Sequence, residues 1–425
     1  MKKEIFKRLI VDNQERTFAE IVLRDIQIPI DTRKIVTLKG VRRCGKTSIL
    51  YQTIKKLRET VDKTNLVYIN FEDDRIFPVQ LPDCNELLEA YYEMFPTKKP
   101  EKVYFFFDEI QIVENWEIFI RRLHDTENCQ IYLCGSSSKL LSSEIASSLR
   151  GRSISYEIFP LSFKEFLRFK NVDKNYYSST NYALIRNALN TYLFQGGFPE
   201  LVYENEDKHK LILQEYVDLI IYKDLIERYG ITNRNLVKLL VKYCYVNIST
   251  PLSQNKLFNE LKSQGISLSK NTLYEYIDYL RDVYAIFTIQ LYSPSVGEQN
   301  RNPLKLYAID TGFKAIFSIS QDIGGVIENV VMLHLRRNNM ALHYWAGKLE
   351  TDFVYEAEDG IHLMNVCYDL SNAETKTREL NSLLEAMQQH NTSNAILITM
   401  EMEELVNIDN MRINIIPLWK WLINQ

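Results

Sequence analysis

Short runs of apolar residues recur along the first third of the chain and predict buried strands. They lie at residues 35–38, 66–71, 103–107, 130–134 and 153–158. Between the runs, apolar residues return at helical spacing, as in residues 48–57 directly after the first run. Strands that alternate with helices build a parallel sheet. The pattern therefore predicts an α/β domain over residues 31–163, preceded by a helical segment over residues 1–30.

Beyond residue 163 the pattern changes twice. Residues 164–231 carry apolar positions at helical spacing, which predicts a block of the size of a helical lid. Residues 232–295 hold three helical stretches followed by a strand, and this order predicts a winged-helix module. Strand and helix patterns alternate again over residues 296–425, which predicts a second α/β domain.

Composition places the chain among ordinary globular proteins of several domains. Its 425 residues exceed what one core supports, and 46% hydrophobic with 25% charged residues is an average balance. The net charge of −4 argues against a strongly basic nucleic-acid surface. The six cysteines form no C-x-x-C pair, and the chain shows neither a signal-peptide pattern nor about 20 consecutive apolar residues. We therefore expect a cytoplasmic protein with no membrane segment.

One stretch between a predicted strand and a predicted helix has the spacing G-x-x-x-x-G-K-[ST] of a phosphate-binding P-loop. It consists of Gly40, Val41, Arg42, Arg43, Cys44, Gly45, Lys46, Thr47 and Ser48. The glycines let successive backbone N–H groups point at an anion, and the helix adds the positive end of its dipole. Lys46 is expected to contact the β- and γ-phosphates, and the Thr47 hydroxyl to bind Mg²⁺. The chain lacks the Asn-Lys-x-Asp signature of guanine binding, so we expect ATP and Mg²⁺ as cofactors.

Two acids follow the predicted strand at residues 103–107, where P-loop enzymes carry the residues that hold metal and activate water. Asp108 is expected to hold Mg²⁺, and Glu109 to orient and deprotonate the attacking water. Ser136 follows the next strand, at the same edge of the sheet. It fits a sensor of the γ-phosphate or of the lytic water, and it also fits the N-cap of the following helix.

Two arginines, Arg150 and Arg152, lie at a loop edge after Ser136. An arginine that reaches the γ-phosphate of a neighbouring subunit can raise the rate by roughly 10³–10⁵. The alternative is a pair of structural arginines in salt bridges. The first interpretation implies a homo-oligomer, and the second does not.

In these features the chain resembles the bacterial and archaeal AAA-type P-loop ATPases whose C-terminal half is a domain of unknown function. The resemblance covers nearly the whole chain. It rests on the P-loop, on residues 107–111 with Trp116, and on residues 135–138, 149–152, 160–166, 196–200, 307–312 and 328–331. The family implies an α/β fold: a P-loop NTPase parallel sheet with a helical lid, followed by a winged-helix module and a restriction-endonuclease-like α/β domain similar to PD-(D/E)XK nucleases.

The resemblance to nucleases implies a set of metal-binding residues in the last domain. Glu328 and Asp352 match the acid on a helix and the Asp on a strand. Asn365 stands where the family carries an acid or Gln, and Cys367 stands where it carries Lys. A neutral amide is a weak ligand for a hard cation, and a thiol does not supply the charge of an ammonium group. We therefore predict that this nuclease site is degenerate and inactive.

Together these features predict an Mg²⁺-dependent ATPase that couples ATP hydrolysis to a conformational change in a partner-binding C-terminal half. DNA or a protein is the expected partner of the winged-helix and nuclease-like domains. Glu275 and Asp278, on the predicted recognition helix, repel phosphate and favour a protein-docking or structural role over DNA binding. Two alternative functions stay open: a slow-turnover, ATP-gated binding module, and an ATP-dependent nuclease.

Overall fold

The computed structural model describes residues 2–18, 21–135, 148–318 and 322–424. The chain divides into two compact units, Met1–Phe159 and Pro160–Gln425. The finer division of the chain into five domains, expected from the sequence, stays a prediction.

The first unit alternates strands and helices. In chain order they are α1 (Lys2–Glu15), β1 (Ile35–Lys39), α2 (Lys46–Leu57), β2 (Leu66–Asn70), α3 (Asp83–Met94), β3 (Val103–Asp108), α4 (Trp116–Thr126), β4 (Cys129–Cys134) and β5 (Ser153–Glu157). The five strands predicted from the apolar runs are confirmed, each within one residue of its expected ends.

The five strands form one parallel sheet in the order β2-β3-β4-β1-β5. Val36 of β1 and Phe106 of β3 both pair with Tyr132, so β4 lies between these two strands. Because all five strands run in the same direction, the segments that follow β1, β3 and β4 emerge at one edge of the sheet. Ligands of doubly wound sheets bind at this edge, and the P-loop and both acids lie there.

Aromatic residues fill the layer between the sheet and three helices of the first unit. Phe105 and Phe107 of β3 are fully buried in one apolar cluster with Phe6 and Ile10 of α1. Alternate residues of a strand point to the same face, so both rings lie on the side covered by α1, α3 and α4. The predicted N-terminal helix is therefore part of the core of this unit.

The second unit begins with helices and continues with a mixture of helices and strands. The helical part comprises α5 (Phe163–Phe169), α6 (Ser179–Gln195), α7 (Pro199–Tyr203), α8 (Glu206–Leu219), a π-helical continuation (Ile220–Glu227) and α9 (Arg234–Val246). The middle part comprises β6 (Pro251–Leu252), α10 (Gln254–Ser263), α11 (Lys270–Asp282), β7 (Ile286–Leu291), α12 (Val296–Arg301), β8 (Leu304–Ala308) and α13 (Gly312–Phe317). The last part comprises α14 (Ile323–Arg337), β9 (His343–Ala346), β10 (Glu350–Ala357), β11 (Gly360–Val366), α15 (Ala373–His390), β12 (Asn394–Thr399), β13 (Glu404–Ile408), β14 (Met411–Pro417) and α16 (Leu418–Asn424).

Within the described residues, the strands of this unit form a mixed sheet in the order β13-β14-β12-β11-β10-β9-β7-β8-β6. A short parallel pairing of β7 with β9 joins its two parts. In the smaller part, β8 is antiparallel to both β6 and β7, and α10 and α11 lie between β6 and β7 in sequence. β8 lies beyond residue 295, so this small sheet continues past the module boundary expected from the sequence.

A buried carboxylate explains the glycines of two family motifs in the second unit. Asp310 accepts hydrogen bonds from the backbone N–H of Gly197 at 2.7 Å and of Gly312 at 2.9 Å. At Gly196, whose φ is 84°, a Cβ atom would lie 1.7 Å from Asp310 Oδ1, so a side chain does not fit there. Burial raises the pKa of Asp310 to about 6. The turn after α6 and the loop after β8 are therefore built around one acid.

The same region anchors the first residues of the second unit. Arg337, at the end of α14, donates from Nη2 to the carbonyl oxygens of Pro160 at 2.8 Å and Leu161 at 3.0 Å. Leu161 donates its own N–H to the carbonyl oxygen of Gly197 at 2.6 Å. The start of this unit is thereby fixed to α14 and to the turn between α6 and α7.

Candidate nucleotide-binding site

The loop between β1 and α2 has the backbone conformation that its glycines permit. Gly40 has a φ of 153°, and a Cβ atom there would lie 2.1 Å from the carbonyl oxygen of Ile158. Gly45, the residue before α2, has a φ of 97°. Both values are unfavourable for residues with side chains, so the two glycines of the motif are required by the path of the loop. The loop ends at the N-terminus of α2, where backbone N–H groups attract anions.

Lys46 and Thr47 open α2 and point back to the loop and to β3. The Lys46 ammonium is buried and donates to the carbonyl oxygens of Gly40 at 3.0 Å and Val41 at 2.8 Å. The Thr47 hydroxyl donates to Asp108 Oδ2 at 2.8 Å. The hydroxyl and the carboxylate expected to bind Mg²⁺ are therefore neighbours.

The carboxylate of Asp108 is buried and lies beside the P-loop. It is 3% exposed, and its Oδ2 accepts hydrogen bonds from Thr47 Oγ1 and, at 3.0 Å, from the hydroxyl of Tyr68. Its Oδ1 is buried and accepts no hydrogen bond from any residue that the structure describes. A buried carboxylate oxygen without a partner is costly unless a ligand binds it. A carboxylate beside a hydroxyl is also a suitable donor set for a hard cation, so these residues fit Mg²⁺.

Glu109 follows Asp108 in a left-handed conformation, with a φ of 53°. Its backbone N–H donates to the carbonyl oxygen of Cys134 at 2.8 Å, which fixes it to the end of β4. The side-chain amide of Gln111 donates to Glu109 Oε2. Glu72, after β2, lies close enough that burial and the carboxyl group of Glu109 raise the pKa of Glu72. The left-handed backbone turns Glu109 out of β3 at the edge where the P-loop lies.

The remaining predicted catalytic residues are not brought to this edge within the part of the chain that the structure describes. Ser136 lies outside the described residues. Arg152 precedes β5, and its carbonyl oxygen accepts a hydrogen bond from the N–H of Ile35, the first residue of β1. Its guanidinium binds both carboxylate oxygens of Asp125, at 2.9 and 3.0 Å. Arg150 lies in the same turn, and the two arginines are about 16 Å, the length of a five-residue strand, from the P-loop edge.

Arg24 is a residue of this site that the sequence reasoning missed. Its guanidinium is buried and donates to the carbonyl oxygens of Cys44 in the P-loop and Phe159 at the end of the unit, both at 2.8 Å. The sequence predicted a helical segment over residues 1–30, but α1 ends at Glu15, and Arg24 lies in an irregular stretch where a single arginine gives no local indication of such a role. The P-loop is thus fixed to the last residue of the first unit.

A second cluster of charged residues lies in the second unit, where the sequence predicted a degenerate nuclease site. The ammonium of Lys305 lies 2.9 Å from Glu328 Oε1, 2.9 Å from Glu350 Oε1 and 2.8 Å from Asp352 Oδ1. Its side chain is 4% exposed. Burial opposes the charge of this group, but the acids around it outweigh burial and raise the pKa of Lys305 well above its usual value. One buried cation therefore lies among three acids, and burial raises the pKa of one of them, Glu328, to about 8.

The two substituted positions of this cluster differ in their contacts. Asn365 Oδ1 accepts from the N–H of Asp352 at 3.2 Å, and its Nδ2 donates to Glu379 Oε2 at 2.9 Å. The Cys367 thiol donates instead to the carbonyl oxygen of Asp369 at 3.4 Å. The structure thus brings Glu328 and Asp352 together around a lysine that the sequence reasoning did not consider, and Asn365 bonds the backbone of Asp352.

The sequence does hold an indication of Lys305, since it is a lysine between two leucines of a strand pattern, and a buried lysine requires an acidic partner. Among the described residues, no group of three or more His, Cys, Asp or Glu side chains is arranged to hold a metal ion. The chain segments described here also contain no helix that is long and apolar enough to span a membrane.

Three family models match the chain. One, described as "AAA domain", matches residues 32–167. Two more, described as domains of unknown function, DUF8612 and DUF4143, match residues 186–321 and 323–421. Together with the strand order and the P-loop, the first match defines an AAA-type P-loop domain, a class of domain that supports ATP binding.

Two relatives resemble the chain over nearly its whole length. The uncharacterized protein MJ1544 of Methanocaldococcus jannaschii is 39% identical over 434 residues, which cover 99% of this chain and 95% of the relative. An uncharacterized protein of Haemophilus influenzae is 30% identical over 400 residues, with coverage of 92% and 95%. The chain therefore belongs to a family of archaeal and bacterial proteins that carry an AAA-type P-loop ATPase-like domain followed by two domains of unknown function. The family membership predicted from the motifs is confirmed.

Similarity to solved structures is weaker. The Walker-type ATPase PABY2304 of Pyrococcus abyssi is 15% identical, with a TM-score of 0.41, over 74% of this chain and 95% of that chain. The Aeropyrum pernix ORC1 protein in complex with DNA is 14% identical, with a TM-score of 0.30, over 78% of this chain and 92% of that chain.

Proposed function

We propose that the protein hydrolyses ATP in the presence of Mg²⁺ and transmits the nucleotide state to its C-terminal half. The observation that carries the proposal is the arrangement around Asp108, which has one oxygen bound to the Thr47 hydroxyl and one buried oxygen that accepts no hydrogen bond within the described segments of the chain. A protein that only bound nucleotide would have no need of Glu109 directly after this residue. The combination supports hydrolysis as well as binding.

Each residue of the site has a separate task in this proposal. The backbone N–H groups of the loop and the N-terminus of α2 bind the phosphates, and Lys46 exchanges its two carbonyl acceptors for oxygens of the β- and γ-phosphates. Thr47 and Asp108 hold Mg²⁺, which when bound neutralises negative charge that develops on the phosphates. Glu109 accepts a proton from water as the water oxygen bonds to the γ-phosphorus and the bond from this phosphorus to the β–γ bridging oxygen breaks. The products are ADP and inorganic phosphate.

One contact favours the slow-turnover switch as a second candidate. The amide of Gln111 is bonded to the carboxylate of Glu109, and a base held in this way is less available to water. A partner that displaces Gln111 would accelerate hydrolysis. The two candidates differ in rate and share the same site.

The third candidate, an ATP-dependent nuclease, receives less support from the charged cluster. The Lys305 ammonium lies among the three carboxylates, and Asn365 is neutral. For the partner of the C-terminal half, Glu275 and Asp278 are exposed on α11, which favours a protein over DNA because both acids repel phosphate. The trans-acting role of Arg150 or Arg152 belongs to the proposal only if the protein forms oligomers.

Substitution of Lys46 by Ala and of Glu109 by Gln tests the proposed hydrolysis. We expect both variants to lose at least a hundredfold in the steady-state release of phosphate from ATP, because each removes a group that acts on the transition state. Glu109→Gln should still bind ATP, since it does not touch the loop. Lys55→Ala, an exposed position on the same helix, is the matched control and should keep the full rate. Unchanged hydrolysis in Glu109→Gln would refute the proposal.

A further inference from the structure

Tyr68 touches the metal carboxylate from the strand beside it. Tyr68 lies on β2, which pairs with β3 so that Tyr68 is opposite Phe106 and Asn70 is opposite Asp108. Residues two apart on a strand point to the same face, so the ring of Tyr68 and the carboxylate of Asp108 share one face of the sheet. The ring is 6% exposed, and its hydroxyl donates to Asp108 Oδ2 at 3.0 Å.

Two further residues hold the Tyr68 hydroxyl in place. Tyr51, on α2, donates its hydroxyl to that of Tyr68 at 3.2 Å, and Arg16 Nη1 donates to Tyr51 at 2.9 Å. The guanidinium of Arg16 also lies 4.8 Å from the centre of the Tyr51 ring, and the centre of the Phe18 ring lies 5.0 Å from that of Tyr51. In this series of three hydrogen bonds, from Arg16 to Tyr51 to Tyr68 to Asp108, each donor points towards Asp108. The side chain of Asp108 accepts, so the Tyr68 hydroxyl is the donor of this hydrogen bond.

The two hydroxyls on Asp108 Oδ2 constrain how this carboxylate can turn. Thr47 and Tyr68 both donate to the same oxygen, and the other oxygen accepts no hydrogen bond from residues 2–18, 21–135, 148–318 or 322–424. A carboxylate with one donor could rotate about its Cβ–Cγ bond and exchange its two oxygens. With Tyr68 as a second donor, one oxygen is held by the protein and the other remains for a ligand.

We propose that Tyr68 is a positioning residue for the metal carboxylate of the P-loop site, and that Tyr51 and Arg16 keep it in that role. The inference rests on the proposed function, because it concerns the binding of Mg²⁺ with nucleotide. Tyr68 itself touches neither the metal nor the nucleotide in this proposal. It orients Asp108, and groups that orient a metal ligand typically contribute about 10- to 100-fold to metal affinity.

The test compares nucleotide binding with and without Mg²⁺ in Tyr68→Phe, which removes the hydroxyl and keeps the ring. A non-hydrolysable fluorescent ATP analogue is titrated with the full chain in excess EDTA and in saturating Mg²⁺, and the ratio of the two dissociation constants is the readout. We expect this ratio to fall at least tenfold in Tyr68→Phe, with binding in EDTA unchanged. Tyr68→Ala is less suitable, because a cavity of about 260 Å³ adjoins this ring and water entering it could replace the lost hydroxyl.

Tyr91→Phe is the matched control. Tyr91 is a buried tyrosine of the same unit whose hydroxyl donates to the carbonyl oxygen of Thr64 at 2.9 Å, away from the site. Tyr91→Phe should lower the melting temperature about as much as Tyr68→Phe does. It should leave the ratio of the dissociation constants in EDTA and in Mg²⁺ unchanged. Equal ratios in Tyr68→Phe and the wild type would overturn the inference and leave the proposed function intact. A wild-type chain whose nucleotide binding does not respond to Mg²⁺ would overturn both.

Discussion

Lys305 is a single buried lysine that pairs with three acids of the second unit. The three acids around it come from α14 and β10, and the lysine comes from β8, so the ion pairs join segments distant in sequence. A buried cation among acids is not a strong source of net stability, but the loss of one member leaves charges without compensation. The lysine thus holds together a region whose acids would otherwise repel one another.

Lys305→Met should destabilise the second unit by about 3–5 kcal/mol, because the two largely buried acids, Glu328 and Asp352, lose the cation between them. Thermal unfolding of the full chain, followed by circular dichroism, measures the effect. The exposed Lys348→Met is the control and should melt like the wild type. If Lys305→Met also melts like the wild type, the ion pairs do not hold this region together.

In the first unit, the carboxylate of Glu109 is likewise held by a neighbouring side chain, the amide of Gln111. From the sequence, Glu109 was an acid after a strand. The structure adds the left-handed backbone that turns it and the amide that binds it. Gln111→Ala should increase basal ATP hydrolysis severalfold if this amide restrains the base, and phosphate release measures it. A decrease would mean instead that Gln111 helps to place Glu109 for the reaction.

At the scale of elements, the turn between α6 and α7 and the loop between β8 and α13 form one assembly around Asp310. Two backbone N–H groups donate to its carboxylate, and the glycines beside it leave room for it. In sequence these are two separate motifs, more than a hundred residues apart. The two motifs depend on each other. The loop after β8 supplies the accepting carboxylate of Asp310, and the turn after α6 supplies the Gly197 N–H donor and the space beside Gly196.

Asp310→Asn should lower the melting temperature at pH 7, because the amide nitrogen would face a backbone N–H, donor against donor, at a cost of about 1–3 kcal/mol. The pH dependence follows from the raised pKa of Asp310, about 6 against 3.8 for an ordinary Asp. The native state holds a proton in this range that the unfolded chain has released. Its contribution to stability is therefore complete below about pH 4 and is lost as the pH rises through 6.

The difference in melting temperature between the wild type and Asp310→Asn should accordingly narrow as the pH is raised from 4.5 to 7, a range set by this shift. The exposed Asp359→Asn, measured in the same way, controls for the loss of a carboxylate elsewhere. A difference that does not vary with pH would show that Asp310 titrates in its ordinary range.

At the scale of the whole molecule, the chain passes from the first unit to the second between Phe159 and Pro160. On the first side, Arg24 binds the carbonyl oxygen of Phe159 and that of Cys44 in the P-loop. On the second side, Arg337 binds the carbonyl oxygen of Pro160. The junction is therefore fixed to the P-loop on its first side and to the end of α14 on its second side.

Arg24→Ala should separate nucleotide binding from its effect on the second unit. In the wild type, we expect ATP to change the hydrogen exchange of residues 160–163 and 195–200, and in Arg24→Ala we expect this response to be lost while ATP still binds. Arg8→Ala, at an exposed position of α1, should respond like the wild type. A full response in Arg24→Ala would show that the signal does not pass through this arginine.

The sequence by itself determined the first unit almost completely: its five strands, the P-loop and the acids after β3 follow from local spacing, because strand periodicity and loop chemistry are properties of neighbouring residues. The tertiary structure decided which distant groups meet: Tyr68 with Asp108, Arg24 with Cys44, and Lys305 with its three acids. It also separated Arg150 and Arg152 from the P-loop edge. Burial and charge pairing act across the fold, and no local pattern records which strand or helix a side chain will face.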